Sequence, residues 1–197
     1  MTLFYEAVEK RRSTNKISKE LDISDERIEE IISHALKYVP SAFNSQTTRV
    51  LLLLGKEHDW FWSETETLIE QAGTDYKQEN SEIARLKAGY GTVLFFEDEN
   101  AVAAAQRKNP QYLEYFAEWL DQTSGMHQLA VWTAFEIEGI GASLQHYQPH
   151  VDEMVSSRWS VPASWKLKAQ MPFGKPLTSS SNEKGNKENQ VELKIFK

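Results

Sequence analysis

The sequence predicts a single domain that mixes amphipathic helices with deeply buried strands. Three observations predict it. The chain has 197 residues, 40% of them hydrophobic and 26% charged, which suits one domain with a real core better than two. Two apolar runs, at residues 50–54 and 92–96, have the pattern of strands covered on both faces. Around them, apolar residues recur at helical spacing in segment after segment.

Residues 3–12 read as a short helix with Leu3, Phe4, Ala7 and Val8 on one face, ending in the basic turn Lys10-Arg11-Arg12-Ser13. A second helix spans 24–38. Ser24 is placed to cap it, Asp25 and Glu26 suit the positive end of its dipole, and Ile28, Ile31, Ile32, Ala35, Leu36 and Val39 keep its apolar spacing until Pro40 ends it. Residues 58–72 and 81–88 are amphipathic helices, and Gly89-Tyr90-Gly91 introduces the second buried strand. Helices follow at 99–106, 110–121 and 124–138. The last is apolar nearly all round, the pattern of a helix buried at the centre. Gly139-Ile140-Gly141 breaks it before a strand at 142–146, a helix at 149–157 and a strand at 166–171. No repeat of fixed period is present. The aromatic triplet Trp60, Phe61 and Trp62 reads as core or lid packing.

Residues 174–190 lose their apolar side chains to Ser, Asn and Lys, the composition of an extended arm. Beyond it Val191, Leu193 and Ile195 alternate with Glu192 and Lys194, as in a half-buried strand. A strand that follows such an arm docks far from where the arm begins, and a second subunit is one place for it.

Composition narrows the chemistry. With no cysteine, disulfides, thiolate nucleophiles, iron–sulfur clusters and Cys-ligated zinc are excluded, so redox chemistry would need a bound cofactor. A net charge of −7 argues against general nucleic-acid binding, which needs a basic surface. No run of 18 apolar residues is present to span a bilayer, and residues 1–6 lack a basic stretch leading into an apolar one, so the expected location is the cytoplasm.

Four segments are candidates for function. Arg11, Arg12 and Ser13 put two planar donor groups and a hydroxyl in one turn, suited to a phosphate, although cations also favour any helix C-terminus. The loop Pro40-Ser41-Ala42-Phe43-Asn44-Ser45-Gln46 is short and polar, in the place where loops carry function, and turn chemistry accounts for its composition equally well. Gly139 and Gly141 let the backbone bend closely around a flat or bulky neighbour, leading into Ala142-Ser143-Leu144-Gln145-His146-Tyr147. This is not a dinucleotide fingerprint, because the paired glycines follow a helix and no third one arrives. Lys184 and Lys187 in the tail could close over a phosphate or simply be solvated. His146 and His150 stand four apart as metal ligands on a helix can, but Pro149 between them interrupts such a face.

In order, these segments resemble the nitroreductase family. Its members begin with a helix ending in Arg-x-Ser, here Arg11-Arg12-Ser13-Thr14-Asn15, and run a second helix into a Pro-Ser-x-x-Asn-Ser-Gln loop, here 40–46. A buried helix then ends in a Gly-Leu-Gly-like turn, here Gly139-Ile140-Gly141, before a basic tail. The loop and Ala169-Gln170-Met171-Pro172-Phe173-Gly174 look most like the compact branch of "fatty acid repression mutant" homologues.

The resemblance covers nearly the whole chain. It implies one α+β domain over 1–197, with a mixed central sheet wrapped by helices, 174–197 as arm and C-terminal strand, and two subunits intertwined around two FMN molecules. Arg11 and Ser13 would hold the FMN phosphate, with Arg12 and Asn15 lining phosphate and ribityl chain. Pro40, Ser41 and Ala42 would reach the flavin from the partner subunit, in a loop that also carries Asn44 and Gln46. Leu144, Gln145 and His146 would pass along the ring with a backbone N–H near His146, and Lys184 and Lys187 would close the phosphate site. Asn15 stands where many relatives carry a basic residue. The activity implied is hydride transfer from NAD(P)H through FMN to nitroaromatics, quinones or similar small acceptors. Flavin reduction for a partner, or a flavin-binding stress-related module with little turnover, are the alternatives.

Overall fold

In the computed structural model, which describes residues 3–73, 76–177 and 193–196, the strand at the centre is β3, Gly91–Asp98. It is paired on both sides, antiparallel to β2 (Thr48–Leu54) and to β5 (Trp165–Pro176). Its side chains alternate between two cores, as the period of a strand requires. Val93 and Phe95 face one core with Ile28, Ile31 and Ile32 of α2 (Asp25–Tyr38) and Val131, Trp132 and Phe135 of α6 (Phe116–Ile137). Leu94 and Phe96 face the other with Phe61, Trp62 and Ile69 of α3 (Gly55–Ala72), Ile83 and Leu86 of α4 (Tyr76–Lys87), and Val155 of α7 (Asp152–Trp159). The result is an α+β domain with helices on both faces of the sheet.

The sheet runs β1-β5-β3-β2, with β1 at Ile17–Ser18 and β4 (Gly141–Ala142) also on β5. Among the described residues all strand pairs are antiparallel, and a parallel bridge joins Ser13 to Ala142. α1 (Leu3–Lys10) packs on α6, while α5 (Glu99–Lys108) with a 3-10 turn (Pro110–Tyr115) leads into α6. Among the described residues no helix is long and apolar enough to cross a membrane.

Several expectations hold in detail. Ser24 caps α2 through its hydroxyl, which accepts from the Arg27 N–H at 3.3 Å, and Phe61 and Trp62 are core residues. Others need correction. The aliphatic run in β2 is not covered on both faces: β2 is an edge strand, and Val50, Leu51 and Leu52 are half-buried. The helices expected at 110–121 and 124–138 are instead a 3-10 turn and one helix from Phe116. No proline stands between them, and Thr123 and Ser124 are buried by packing, so the helix runs through. Nor is α6 buried all round. Met126, Leu129 and Ile137 are 40%, 49% and 46% exposed, a stripe at helical spacing with no cover among the described residues.

The expected strand at 142–146 shrinks to β4 plus one bridge between Gln145 and Gln170. The helix expected at 149–157 is displaced to α7, and β1 (Ile17–Ser18), two residues too short to show a period, escaped the sequence reading. β5 continues to Pro176, so the arm starts later than residue 174. Lys184, Lys187 and Val191 lie outside the described residues. Residues 193–196 belong to no strand of this chain, and Leu193 and Ile195 are exposed.

Candidate functional site

The turn after α1 separates two neighbouring arginines by task. Arg12 is spent on the helix end: its guanidinium donates to the Glu9 carbonyl at 2.6 Å and the Arg11 carbonyl at 2.7 Å, satisfying groups a helix C-terminus leaves open. Arg11 is held by its carbon skeleton and its charge. The guanidinium lies over the Trp132 ring, 4.2 Å from the centroid. It makes no hydrogen bond or ion pair among the described residues, and its Nε is buried without an acceptor. Burial lowers its pKa, the charge of Arg12 adds to that, and Glu136 opposes it. Arginine stays protonated in such a setting, so the turn presents a partly desolvated cation with unspent donors. Burial in turn raises the pKa of Glu136, against the pull of Lys10, Arg11 and Arg12.

Beside this turn runs the segment after β4. Ser13 pairs with Ala142, and the Thr14 N–H donates to the Ala142 carbonyl at 2.9 Å. Gly141 permits that approach, since a Cβ there would meet Thr14 Cγ2 at 2.9 Å. The close neighbour its small size serves is therefore part of the chain itself. Gly139, at φ 73°, takes the left-handed turn that ends α6.

Further along, the backbone alternates. The N–H groups of Ser143 and Gln145 donate to the carbonyls of Pro172 (3.3 Å) and Gln170 (2.7 Å), and that of Tyr147 donates to Gln170 Oε1 (2.8 Å). The N–H groups of Leu144 and His146 have no acceptor among the described residues. In extended backbone successive N–H groups point to opposite sides, so these two face away from β5. The His146 ring does not: its Nδ1 lies 3.2 Å from the Lys168 carbonyl.

Asn15 closes the same corner. Its Nδ2 donates to Glu82 Oε1 at 3.1 Å, and its Oδ1 is buried without a donor. A carboxylate only accepts, so the amide cannot be the other way round.

The 40–46 loop lies elsewhere. It precedes Thr48, which pairs with Glu97 on β3, close to where β5 begins. Ala142 pairs with Phe173 near the other end of β5, and β2 and β4 lie on opposite sides of the β3–β5 pair. Three strand spacings and about seven residues of strand put these corners roughly 27 Å apart. No hydrogen bond or ion pair links the loop to residues 11–15 among the described residues.

The loop is tightly determined. Ser41 Oγ accepts from the Gln46 N–H at 3.0 Å, and the Ser41 carbonyl accepts from the Asn44 N–H at 2.9 Å. Phe43, Asn44 and Gln46 hold φ of 53°, 51° and 48°, a conformation that costs non-glycine residues energy and concentrates at functional loops. Pro40, Asn44 and Gln46 are exposed, and Ser41 and Ala42 are half-buried. Phe43 stacks on Tyr112 at 5.3 Å and meets Trp119 at 5.7 Å, giving an exposed aromatic shelf.

The structure thus brings Arg11, Ser13, Asn15, Leu144, Gln145 and His146 to one corner and leaves Pro40, Ser41, Ala42, Asn44 and Gln46 at another. Sequence reasoning missed Trp132 as the support of Arg11, Glu82 as the partner of Asn15, and Gln170. None carried a local signal: Gln170 follows Lys166 and Lys168 in an alternating polar–apolar strand and does not stand out there.

The chain matches the Nitroreductase family over residues 8–175. In Saccharomyces cerevisiae, the protein HBN1 is 33% identical over 185 residues, covering 93% of this chain and 92% of that one. The nitroreductase FRM2 from the same organism is 30% identical over 175 residues, 88% of each. The structure of nitroreductase CinD from Lactococcus lactis in complex with chloramphenicol superposes with a TM-score of 0.85 at 34% identity, over 97% of this chain and 100% of that one. A nitroreductase with bound FMN from Desulfitobacterium hafniense shares the fold at TM-score 0.71 and 17% identity, covering 98% of this chain and 100% of that one. The chain belongs to the Nitroreductase family of oxidoreductases.

Proposed function

We propose that this chain is an FMN-dependent oxidoreductase, working in the cytoplasm as a homodimer, that passes hydride from NAD(P)H to small electron-poor acceptors such as nitroaromatics and quinones. The observation that carries the reading is the pairing of the unspent Arg11 guanidinium with the open N–H groups of Leu144 and His146 at one corner. A cation with free donors suits a phosphate, and a row of backbone donors suits the heteroatom edge of a flat ring. Bound FMN would supply two-electron chemistry that this cysteine-free chain lacks.

The residues then divide the labour. Arg11 and Ser13 hold the phosphate, with Arg12 and Asn15 beside it. Gln145 and the donors of Leu144 and His146 orient the ring. The 40–46 corner lies too far away to serve the same ligand within one chain, so the partner's loop completes the site. The uncovered stripe of Met126, Leu129 and Ile137, with exposed Leu3, Phe4 and Tyr5, is surface that a second copy would bury. An aromatic shelf on that loop favours planar acceptors. CinD has been solved with 4-nitrophenol, which supports the same class. Lys184 and Lys187 are assigned to the phosphate on the family resemblance alone.

The test is direct. The purified protein should quench added FMN fluorescence, and the loaded protein should bleach with NADH or NADPH and recover with a nitroaromatic or quinone. A protein that takes up no FMN sinks the reading.

A further inference from the structure

We infer that Gln170 is a positioning residue that aims the His146 N–H at the cofactor, an inference that rests on the FMN reading above. Gln170 lies on β5 and is wholly buried. Its backbone N–H donates to the Gln145 carbonyl at 3.0 Å, and its carbonyl accepts from the Gln145 N–H at 2.7 Å. Its side chain does the same work one step on. Oε1 accepts from the Tyr147 N–H at 2.8 Å, and Nε2 donates to Gln148 Oε1 at 2.9 Å. The amide orientation is fixed by chemistry, because a backbone N–H can only donate.

An amide is an expensive choice at this position. Its register partner on β3 is Leu94, a buried member of the apolar core beneath α3, α4 and α7, and a leucine at 170 would fill the space without a polar group to satisfy. What it would lose is specific. The backbone ladder between β5 and the 143–147 segment ends at the Gln145–Gln170 bridge. The Gln170 side chain supplies the next rung, which keeps Tyr147 in line and leaves His146 between two pinned neighbours. The alternation then turns the His146 N–H away from β5 and leaves it without an acceptor among the described residues. Without that rung, the other contacts of 146–148 to β5 are the His146 ring and Gln148 Nε2, both on the Lys168 carbonyl, and neither fixes the peptide plane at 146. Small errors of aim at a reacting centre are costly.

Amide hydrogen exchange on the full chain, with and without FMN, tests this. In the FMN-free protein the Gln145 and Tyr147 N–H groups should exchange slowly and that of His146 quickly. Saturating FMN should then slow His146 by about tenfold or more, the protection expected of one made hydrogen bond. Gln170→Leu should release Tyr147 and abolish the FMN protection of His146, while FMN affinity falls less than about tenfold because the phosphate contacts remain. Gln170→Glu should restore the pattern, since a carboxylate oxygen still accepts from Tyr147. If Gln170→Leu does not fold, the wild-type pattern decides alone. Slow exchange at His146 without FMN, or fast exchange at Tyr147, overturns the inference. So does a folded Gln170→Leu protein whose His146 is still protected. FMN that binds without protecting His146 sinks this inference alone, whereas a chain that takes up no FMN sinks the cofactor reading as well.

Discussion

The Arg11 guanidinium carbon stands 4.2 Å from the centroid of the Trp132 ring. That contact ties the end of α1 to α6 and places a charge without using one of its N–H donors. Stacking on an aromatic face and donating in plane are compatible for arginine and not for lysine.

The first prediction follows from that difference in spent and unspent donors. Arg11→Ala should weaken FMN binding roughly ten- to a hundredfold, the value of a charge-assisted contact of about 1.5–3 kcal/mol. Lys10→Ala, one residue away at the same helix end, should leave it nearly unchanged. Fluorescence titration of FMN measures both, and equal affinities would place the phosphate elsewhere.

A second prediction separates side chain from backbone at His146. The ring's Nδ1 is turned back onto the Lys168 carbonyl, and the backbone N–H has no acceptor among the described residues. His146→Ala should therefore keep most of the FMN-dependent turnover with NAD(P)H. Loss of turnover with FMN still bound would make the imidazole a catalytic group and the account of this corner incomplete.

How far the sequence revealed all this depends on the kind of signal. β3 announces itself because both of its faces are covered, so every residue from Thr92 to Phe96 must be apolar or satisfied. β2 looks the same in sequence, yet Val50 and Leu52 lie at an edge; composition alone cannot tell a strand covered by its own chain from one whose cover comes from elsewhere. The same ambiguity explains α6. Met126, Leu129 and Ile137 are exposed among the described residues, and an apolar stripe reads identically whatever buries it. At the site, Arg11, Ser13 and the 144–146 segment were found by order and resemblance. Gln170 and Glu82 were not, because their side chains bond across 23 and 22 residues in the one case and 67 in the other, distances over which no local pattern survives.

The third prediction concerns stability and pH. His58 is buried in α3, with Nδ1 2.8 Å from Thr92 Oγ1 and Nε2 3.2 Å from the Lys87 carbonyl. Burial lowers its pKa to about 4 from the ordinary 6.5. Between those values the unfolded chain binds a proton that the folded chain refuses, so stability rises with pH through that window and falls as pH drops. From pH 7 to pH 5 this group alone should cost about 2 kcal/mol. His58→Gln should be less stable at neutral pH but lose that part of the slope. Urea unfolding of both proteins at the two pH values measures it, and an unchanged slope would assign the pH dependence to other groups.

The last prediction concerns the C-terminus. Leu193 and Ile195 are exposed and belong to no strand of this chain, yet with Val191 they keep the alternation of a strand with one apolar face. Thirteen residues, 178–190, separate that segment from the end of the described sheet region, a length that spans at most ~43 Å when stretched. Among the described residues β2 offers what such a strand needs: an edge without a neighbouring strand, half-buried aliphatic side chains and backbone groups open on that edge. A strand from the partner laid on that edge would pair its backbone and bury its apolar face. β2 is also the strand that the 40–46 loop leads into, so a tail that steadies β2 steadies the loop expected to reach the partner's flavin. Truncation after Gln190 should therefore lower dimer stability and FMN retention together, read by sedimentation at decreasing concentration and by the flavin-to-protein absorbance ratio. A truncated protein that stays a fully loaded dimer at low concentration would mean that the segment serves neither interface nor cofactor.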